Sequence, residues 1–272
     1  MKKRLSFLLA AILVLLFVLT SCGGDPYKGS YEEISEDQAE EYLARVSELE
    51  EVLEGKSTKT TFSIVTTDDD TGAKTEMSGT SLVDYSDPDN MKAYEEVTVK
   101  RSTEDGVYKL SIKAYTDAKT GETLAEIKAS APGQDDYSFK GKITTDGLVV
   151  IENMISSVGV EDALYALEEA LEDLADEEDA KIYVDGDKIK MTYDSTTEWG
   201  TEKGEVFAVI SEDDFRCKMS ATSHMNYGES YVQEAEIQLV SEKVKLPTSG
   251  YDAEMTANEL VSVLMSYMGY DD

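Results

Sequence analysis

The first pattern along the chain is an unbroken apolar run over residues 7–19, which follows the basic residues Lys2, Lys3 and Arg4. A membrane-spanning helix needs roughly 20 apolar residues, so this run is too short to be one. A basic start, a short apolar run and small residues before a cleavage point are the parts of a secretory signal peptide. We therefore predict a signal peptide over residues 1–21.

Alternation with period two dominates two later regions, as expected of strands that bury one face. In the first, between residues 58 and 145, Leu110, Ile112 and Ala114 alternate with polar residues, and Asp-, Gly- and Pro-rich turns separate such runs. This region predicts about six antiparallel strands. The second region, from Ile182 to about Leu239, predicts about five more.

Helical spacing replaces the alternation in three places. A capping box at residues 35–38 opens a predicted helix over residues 36–54, and a second capping box, Thr256 to Glu259, opens a short closing helix. Between the two meanders lies a predicted helix over residues 160–176. Its apolar stripe includes Val160, Leu164, Leu167 and Leu171. Because isolated helices of this length are marginal in water, the stripe must be buried against a sheet.

These elements define a simple domain organisation. Residues 22–34 contain several glycines and Pro26, and we interpret them as a flexible tether. Residues 35–272 form one predicted α+β domain with two helix-plus-meander halves, about 35–146 and 147–272. Its length is sufficient for a sizeable hydrophobic core.

The charge of the chain is strongly acidic, with 57 Asp and Glu against 25 Lys and Arg and a formal net charge of −32. Removal of the three basic residues of the leader would take this charge to −35. Such a field repels nucleic acid and anionic membrane surfaces, so we expect no nucleic-acid partner. A solvated surface that resists aggregation is one interpretation; attraction of cations or basic partners is the other.

Candidate catalytic chemistry is sparse. His224 is the only histidine, no Gly-x-Ser-x-Gly elbow accompanies it, and no phosphate-binding glycine pattern occurs. Cys217 alternates in phase with Phe215 and Met219, so we interpret it as a buried structural thiol. We therefore expect no catalytic residues and no cofactor.

The acidic turns are candidates for calcium ligands, but they do not fit the EF-hand spacing. Asp68-Asp69-Asp70 and the run from Asp84 to Asn90 offer oxygen atoms. Asp and Asn also favour turns by accepting hydrogen bonds from their own backbone, and we interpret both segments that way, with no metal site.

Leu19-Thr20-Ser21-Cys22 resembles the lipobox of bacterial lipoproteins. This resemblance implies that a signal peptidase cuts before Cys22 and that the Cys22 sulfur carries a diacylglycerol. The protein would then be anchored by lipid at the extracytoplasmic face of the cell membrane. Cys217 would be the only remaining cysteine, which leaves no intramolecular disulfide in the monomer.

The order of elements resembles the lipoproteins of the LolA and LprG type, although no residue motif beyond the lipobox supports this. The resemblance implies an α+β fold in which a strongly curved antiparallel half-barrel sheet of about eleven strands packs on a few helices. It also implies a non-enzymatic role, the binding of a lipid or other apolar ligand between sheet and helices. Val160, Leu164, Leu167 and Leu171 would line the ligand wall. The alternative is an acidic interaction module with a filled core, which binds another envelope protein or cations.

Overall fold

The computed structural model describes residues 25–34, 56–87, 90–144, 180–197, 200–211 and 214–268. The predicted signal peptide, Cys22 and the predicted helices over residues 36–54 and 160–176 lie outside these residues.

Thirteen strands form one open sheet, and one helix follows them among the described residues. The strands are β1 (Glu32–Glu33), β2 (Ser57–Asp68), β3 (Lys74–Asp84), β4 (Lys92–Thr103), β5 (Gly106–Asp117), β6 (Glu122–Ser130), β7 (Tyr137–Ile143), β8 (Ala180–Asp185), β9 (Lys188–Thr197), β10 (Gly200–Ile210), β11 (Phe215–Met225), β12 (Glu229–Val240) and β13 (Ala253–Met255); the helix is α1 (Ala257–Met268). Their order across the sheet is β1-β8-β9-β10-β11-β12-β2-β3-β4-β5-β6-β7-β13.

The prediction of a large sheet-rich fold is confirmed, with six strands (β2–β7) in the first meander and five (β8–β12) in the second. The prediction of a wholly antiparallel sheet of about eleven strands is corrected in two ways. Short strands β1 and β13 add an edge on each side, and β13 pairs parallel to β7. Two or three residues are too few to show a period-two alternation, so the sequence pattern could not reveal these edges.

The two meanders join into one sheet at its centre. Strand β12, the last of the second meander, pairs antiparallel with β2, the first strand of the other, from Glu229 opposite Asp68 to Val240 opposite Ser57. We call this pairing the central seam. The two halves predicted from the sequence are therefore continuous through hydrogen bonds.

The sheet has one apolar face, because residues directly opposite one another in register point to the same side. Val97, Ile112 and Ile127 form one such row, and Ala208, Cys217 and Ile237 belong to another; all six are buried. Helix α1 lies on this apolar face, where it contacts β5 and β6. The predicted alternation of buried and polar positions in β4 and β5 is confirmed.

Two extended segments cross the opposite, polar face. Residues 25–31 lie over β10, where the ring of Tyr27 packs against Phe207 at 6.0 Å between centroids. Residues 241–252, the crossing segment, run from central β12 to the edge strand β13. Along this path the Val244 N–H donates to Asp84 at 3.3 Å, and the Tyr251 hydroxyl donates to Glu126 at 2.8 Å.

Candidate functional site

Helix α1 is positioned by its two ends. The Thr256 N–H donates to the Glu259 carboxylate at 2.7 Å, and the Glu259 N–H donates back to the Thr256 hydroxyl at 3.4 Å, which confirms the predicted capping box. At the other end, Arg101 of β4 donates to the Met268 carbonyl at 2.7 Å. The capping box therefore sets where the helix begins, and the contact with Arg101 holds its last turn beside β4.

One apolar flank of α1 remains open. Leu260 and Met268 are buried against the sheet, at 0% and 4% exposure, whereas Val261 and Met265 are 42% and 43% exposed. Residues four apart lie on one side of a helix, so Val261 and Met265 form a continuous stripe. Covering this stripe would remove apolar surface from contact with water, which is energetically favourable.

The open flank lies on the side of α1 away from the sheet edge. On the other flank, Glu259 and Val263 line a groove together with Tyr137 and Phe139 of β7, which lies beside the edge strand β13. At about 100° per residue, Val261 and Met265 fall on the side of the helix turned away from that groove. They therefore lie on the flank of α1 opposite the groove, which is the flank on the side of β4.

Three partly buried apolar side chains on the same face of the sheet pack against the core that also holds Leu260 and Met268 of α1. Ile64 of β2 lies opposite Met77 of β3, and Met219 of β11 lies one row away; all three pack against the core without being fully covered. We call Ile64, Met77, Met219, Val261 and Met265 the central apolar strip. Methionine side chains adapt to irregular shapes, so the strip suits a flexible apolar molecule.

A second open feature lies at the sheet edge. The groove between α1 and β7, the edge groove, has a volume of about 440 Å³. Apolar side chains form its floor and polar ones its rim; the lining is Tyr137, Phe139, Met255 and Val263 with Glu254, Asn258, Glu259 and Ser262.

Cys217 is buried, as its alternation predicted. Burial raises the pKa of its thiol to about 12. At neutral pH the sulfur is therefore a neutral thiol among core side chains, which is the opposite of an activated nucleophile.

His224 is exposed near the end of β11, and its contacts do not form a catalytic triad. The Ser230 hydroxyl lies 3.0 Å from the His224 Nδ1 and donates to the Asp69 carboxylate at 3.0 Å. A triad needs the histidine between serine and acid, so that it removes the hydroxyl proton. Here the serine lies in the middle and its proton is directed to the carboxylate.

The acidic turns behave as backbone-bonded turns. The Asp68 carboxylate accepts from the N–H groups of Asp70 and Thr71, and the hydrogen bonds from Thr71 hold the pKa of Asp68 below its usual value. Burial would raise the pKa of Asp84, but hydrogen bonds from Ser86 and Val244 outweigh it and lower that pKa. Within the described ranges, no group of three or more His, Cys, Asp or Glu residues is placed to hold a metal ion.

The residues predicted to carry lipidation and ligand contact, Cys22, Val160, Leu164, Leu167 and Leu171, lie outside the described residues. The alternation over residues 58–145 did not single out Met77 or the edge groove. One signal for the open flank was present: Leu260, Val261, Leu264, Met265 and Met268 span a wider arc than one buried face requires.

Comparison of the chain with protein-family models and with curated protein sequences gives no match. In the part of the chain that the structure describes, no helix has both the length and the apolar character needed to cross a membrane.

Proposed function

We propose that the protein is a non-enzymatic lipoprotein, held by a lipid on Cys22 at the extracytoplasmic face of the membrane, which binds a lipid or other apolar molecule. The ligand would lie between the apolar face and the helices, as in a strongly curved LolA/LprG-like domain. The observation that supports this proposal most is the central apolar strip. Its members Val261 and Met265 are exposed on α1, and its members Ile64, Met77 and Met219 are only partly buried against the core.

Burial of hydrocarbon supplies the affinity in this proposal. Each methylene moved from water into an apolar site contributes about 0.8 kcal/mol, so ten methylenes contribute about 8 kcal/mol before the costs of association and ordering are subtracted. The strip offers methyl, methylene and thioether groups and no charge. It therefore selects for chain length and not for a particular headgroup.

Mass spectrometry of an organic extract tests the ligand. The chain starting at Gly23 is purified from a bacterial host, and we expect a stoichiometric apolar molecule in the extract. Val261→Asp should remove that molecule, because it places a carboxylate in the strip. Val232→Asp is the matched control, since Val232 is similarly exposed, at 46%, but points to the polar face from β12.

Equal ligand content in the two variants, or a clean extract from the unchanged protein, would count against the strip as a ligand site. A charge at Leu164 or Leu167 tests the predicted helical wall in the same assay, and ligand retention in those variants would count against that wall.

Anchoring is tested separately by Cys22→Ala. We expect the variant to leave the membrane fraction, because the lipid-bearing sulfur is gone and the acidic surface is repelled by anionic lipids. Continued membrane association would refute the lipid anchor.

The second candidate function is an acidic module that binds another envelope protein or cations. The excess of acidic residues favours it, because a formal net charge of −32 attracts basic partners. An extract that contains no apolar molecule would favour this second function over ligand binding.

A further inference from the structure

Strand β7 is paired along only part of its outer edge. Strand β13 lies opposite Gly141, Lys142 and Ile143, whereas the first half of β7, residues 137–140, has no partner strand on that side among the described residues. An unpaired strand edge presents a row of N–H and C=O groups that can pair with another chain. The open half of β7 therefore has the free backbone groups that an added strand needs.

The direction of the free backbone groups follows from one hydrogen bond. The Thr144 N–H donates to the Met255 carbonyl of β13 at 3.0 Å, so residue 144 points outward. Backbone groups alternate along a strand, so those of Ser138 and Lys140 also point outward, while those of residues 137 and 139 face β6. Ser138 thus offers an N–H and a C=O, and Lys140 an N–H.

The edge groove lies directly beside these groups. Tyr137 and Phe139 of the same half-strand form its floor with Met255 and Val263. A strand added to β7 would place alternate side chains on the apolar face, next to this floor. One apolar side chain of the added strand would then enter the groove.

Lysine on an edge strand often prevents such pairing, but Lys140 is turned away. Its ammonium pairs with Glu126 at 2.8 Å and lies over the Tyr251 ring at 4.5 Å from the centroid, both on the polar face. The edge itself is left without a protecting positive charge.

The charges around the groove select the partner. Glu254 and Glu259 stand on its rim, and Asp135 and Asp136 precede the open half-strand; all four are exposed. A second copy of this chain would bring the same acidic groups against one another. Lysine and arginine side chains complement them instead.

We propose that the open half of β7 and the edge groove bind an extended segment of another protein, which pairs with Ser138 and Lys140, inserts an apolar side chain between Phe139 and Val263, and carries basic residues beside it. This inference does not depend on the apolar ligand. It gives the interaction function a location and a class of partner.

The test uses the full-length chain in detergent and a fluorescein-labelled peptide, acetyl-Lys-Leu-Lys-Val-Lys-Leu-Lys-amide, with binding followed by anisotropy at 150 mM salt. We expect Glu254→Lys to weaken peptide binding at least tenfold. Glu234→Lys is the matched control, because it makes the same charge change at an exposed position of the central strand β12, which β2 to β6 separate from β7, and we expect less than a twofold effect. Equal weakening by both variants would overturn the proposal in favour of nonspecific attraction.

Backbone pairing is tested by removing donors on each side. Ser138→Pro deletes an outward N–H at an edge position where proline is tolerated, and a peptide with N-methylated alternate residues deletes the donors of the partner. We expect each to weaken binding at least tenfold, and bound peptide to slow hydrogen exchange at Ser138 and Lys140. Unchanged affinity with N-methylated peptide would overturn the proposal, whether or not the proline variant folds.

Two further outcomes are informative. A dimer of the unmixed chain that Ser138→Pro converts to a monomer would overturn the basic partner in favour of a second copy. Ligand content in the extract should be the same in Glu254→Lys as in the unchanged protein, which separates failure of this inference from failure of the apolar-ligand proposal.

Discussion

The contact between Gly79 and Phe62 shows how a single missing side chain determines packing in the sheet. A Cβ atom at Gly79 would lie 2.5 Å from the Phe62 ring and 2.8 Å from the Glu96 carbonyl oxygen. The Phe62 ring therefore occupies the space over Gly79 of β3, on the same face as Ile64 of the central apolar strip.

We predict that Gly79→Ala destabilises the protein by about 1–3 kcal/mol, because Phe62 must leave its place in the core. Ser78→Ala, at the exposed neighbouring position, should change the free energy of unfolding by less than about 0.5 kcal/mol. Urea unfolding measures both variants. Equal effects would show that the ring repacks freely.

At the scale of elements, α1 depends on its capping box, and the box depends on pH. The backbone hydrogen bond between Thr256 and Glu259, followed by their side-chain hydrogen bond, lowers the pKa of Glu259 from its ordinary 4.5. A carboxyl whose pKa is lowered by folding stabilises the folded state above its ordinary pKa, and this contribution disappears as pH falls through the lowered value.

We predict that Thr256→Ala lowers stability by about 1 kcal/mol and that Thr256→Ser restores most of it. Glu259→Gln keeps a neutral capping partner but loses the charge. The difference in melting temperature between the unchanged protein and this variant should therefore shrink as pH is lowered from 7 to 3. A difference that stays constant with pH would contradict the role of the ionised Glu259.

The sequence predicted the elements that depend on a local pattern of residues. It missed the elements that depend on contacts with residues far away along the chain. Strand β5 was predicted because Leu110, Ile112 and Ala114 each show their burial in the alternation. The capping box is a four-residue signal and was predicted too. Strand β13 was missed because Ala253–Met255 is a strand only by virtue of β7 beside it.

The candidate site was predicted less completely than the fold, for the same reason. The strip combines Ile64, Met77 and Met219 with the flank of α1, and α1 joins the same core only after the crossing segment has carried the chain to the far edge. No spacing within the sequence encodes that approach. Burial of Cys217 was predictable because it requires only the alternation of β11.

At the scale of the whole molecule, the central seam is expected to make the two meanders unfold as one cooperative unit. Twelve residue pairs join β12 to β2. Without this pairing, each meander would have an unpaired strand edge in the middle of the sheet.

Ile189→Val in β9 should destabilise the protein by about 0.5–1.5 kcal/mol. We predict that it accelerates hydrogen exchange in β5 as much as in β9. Ile189 and Leu110 are both buried and lie in different meanders, so exchange at these strands reports on each half separately. Exchange that changes in β9 alone would show that the halves unfold independently.

The central seam also sets the order of events when the chain is made. It joins residues 57–68 to residues 229–240, so β2 lacks one of its two neighbours, β12, until almost the whole chain has emerged. Contacts between segments so far apart carry a large loop-closure entropy and slow the search for the native state. A chain exported from its amino terminus would therefore leave the translocation channel with an incomplete first meander, and its open β2 edge would need protection until β12 arrives.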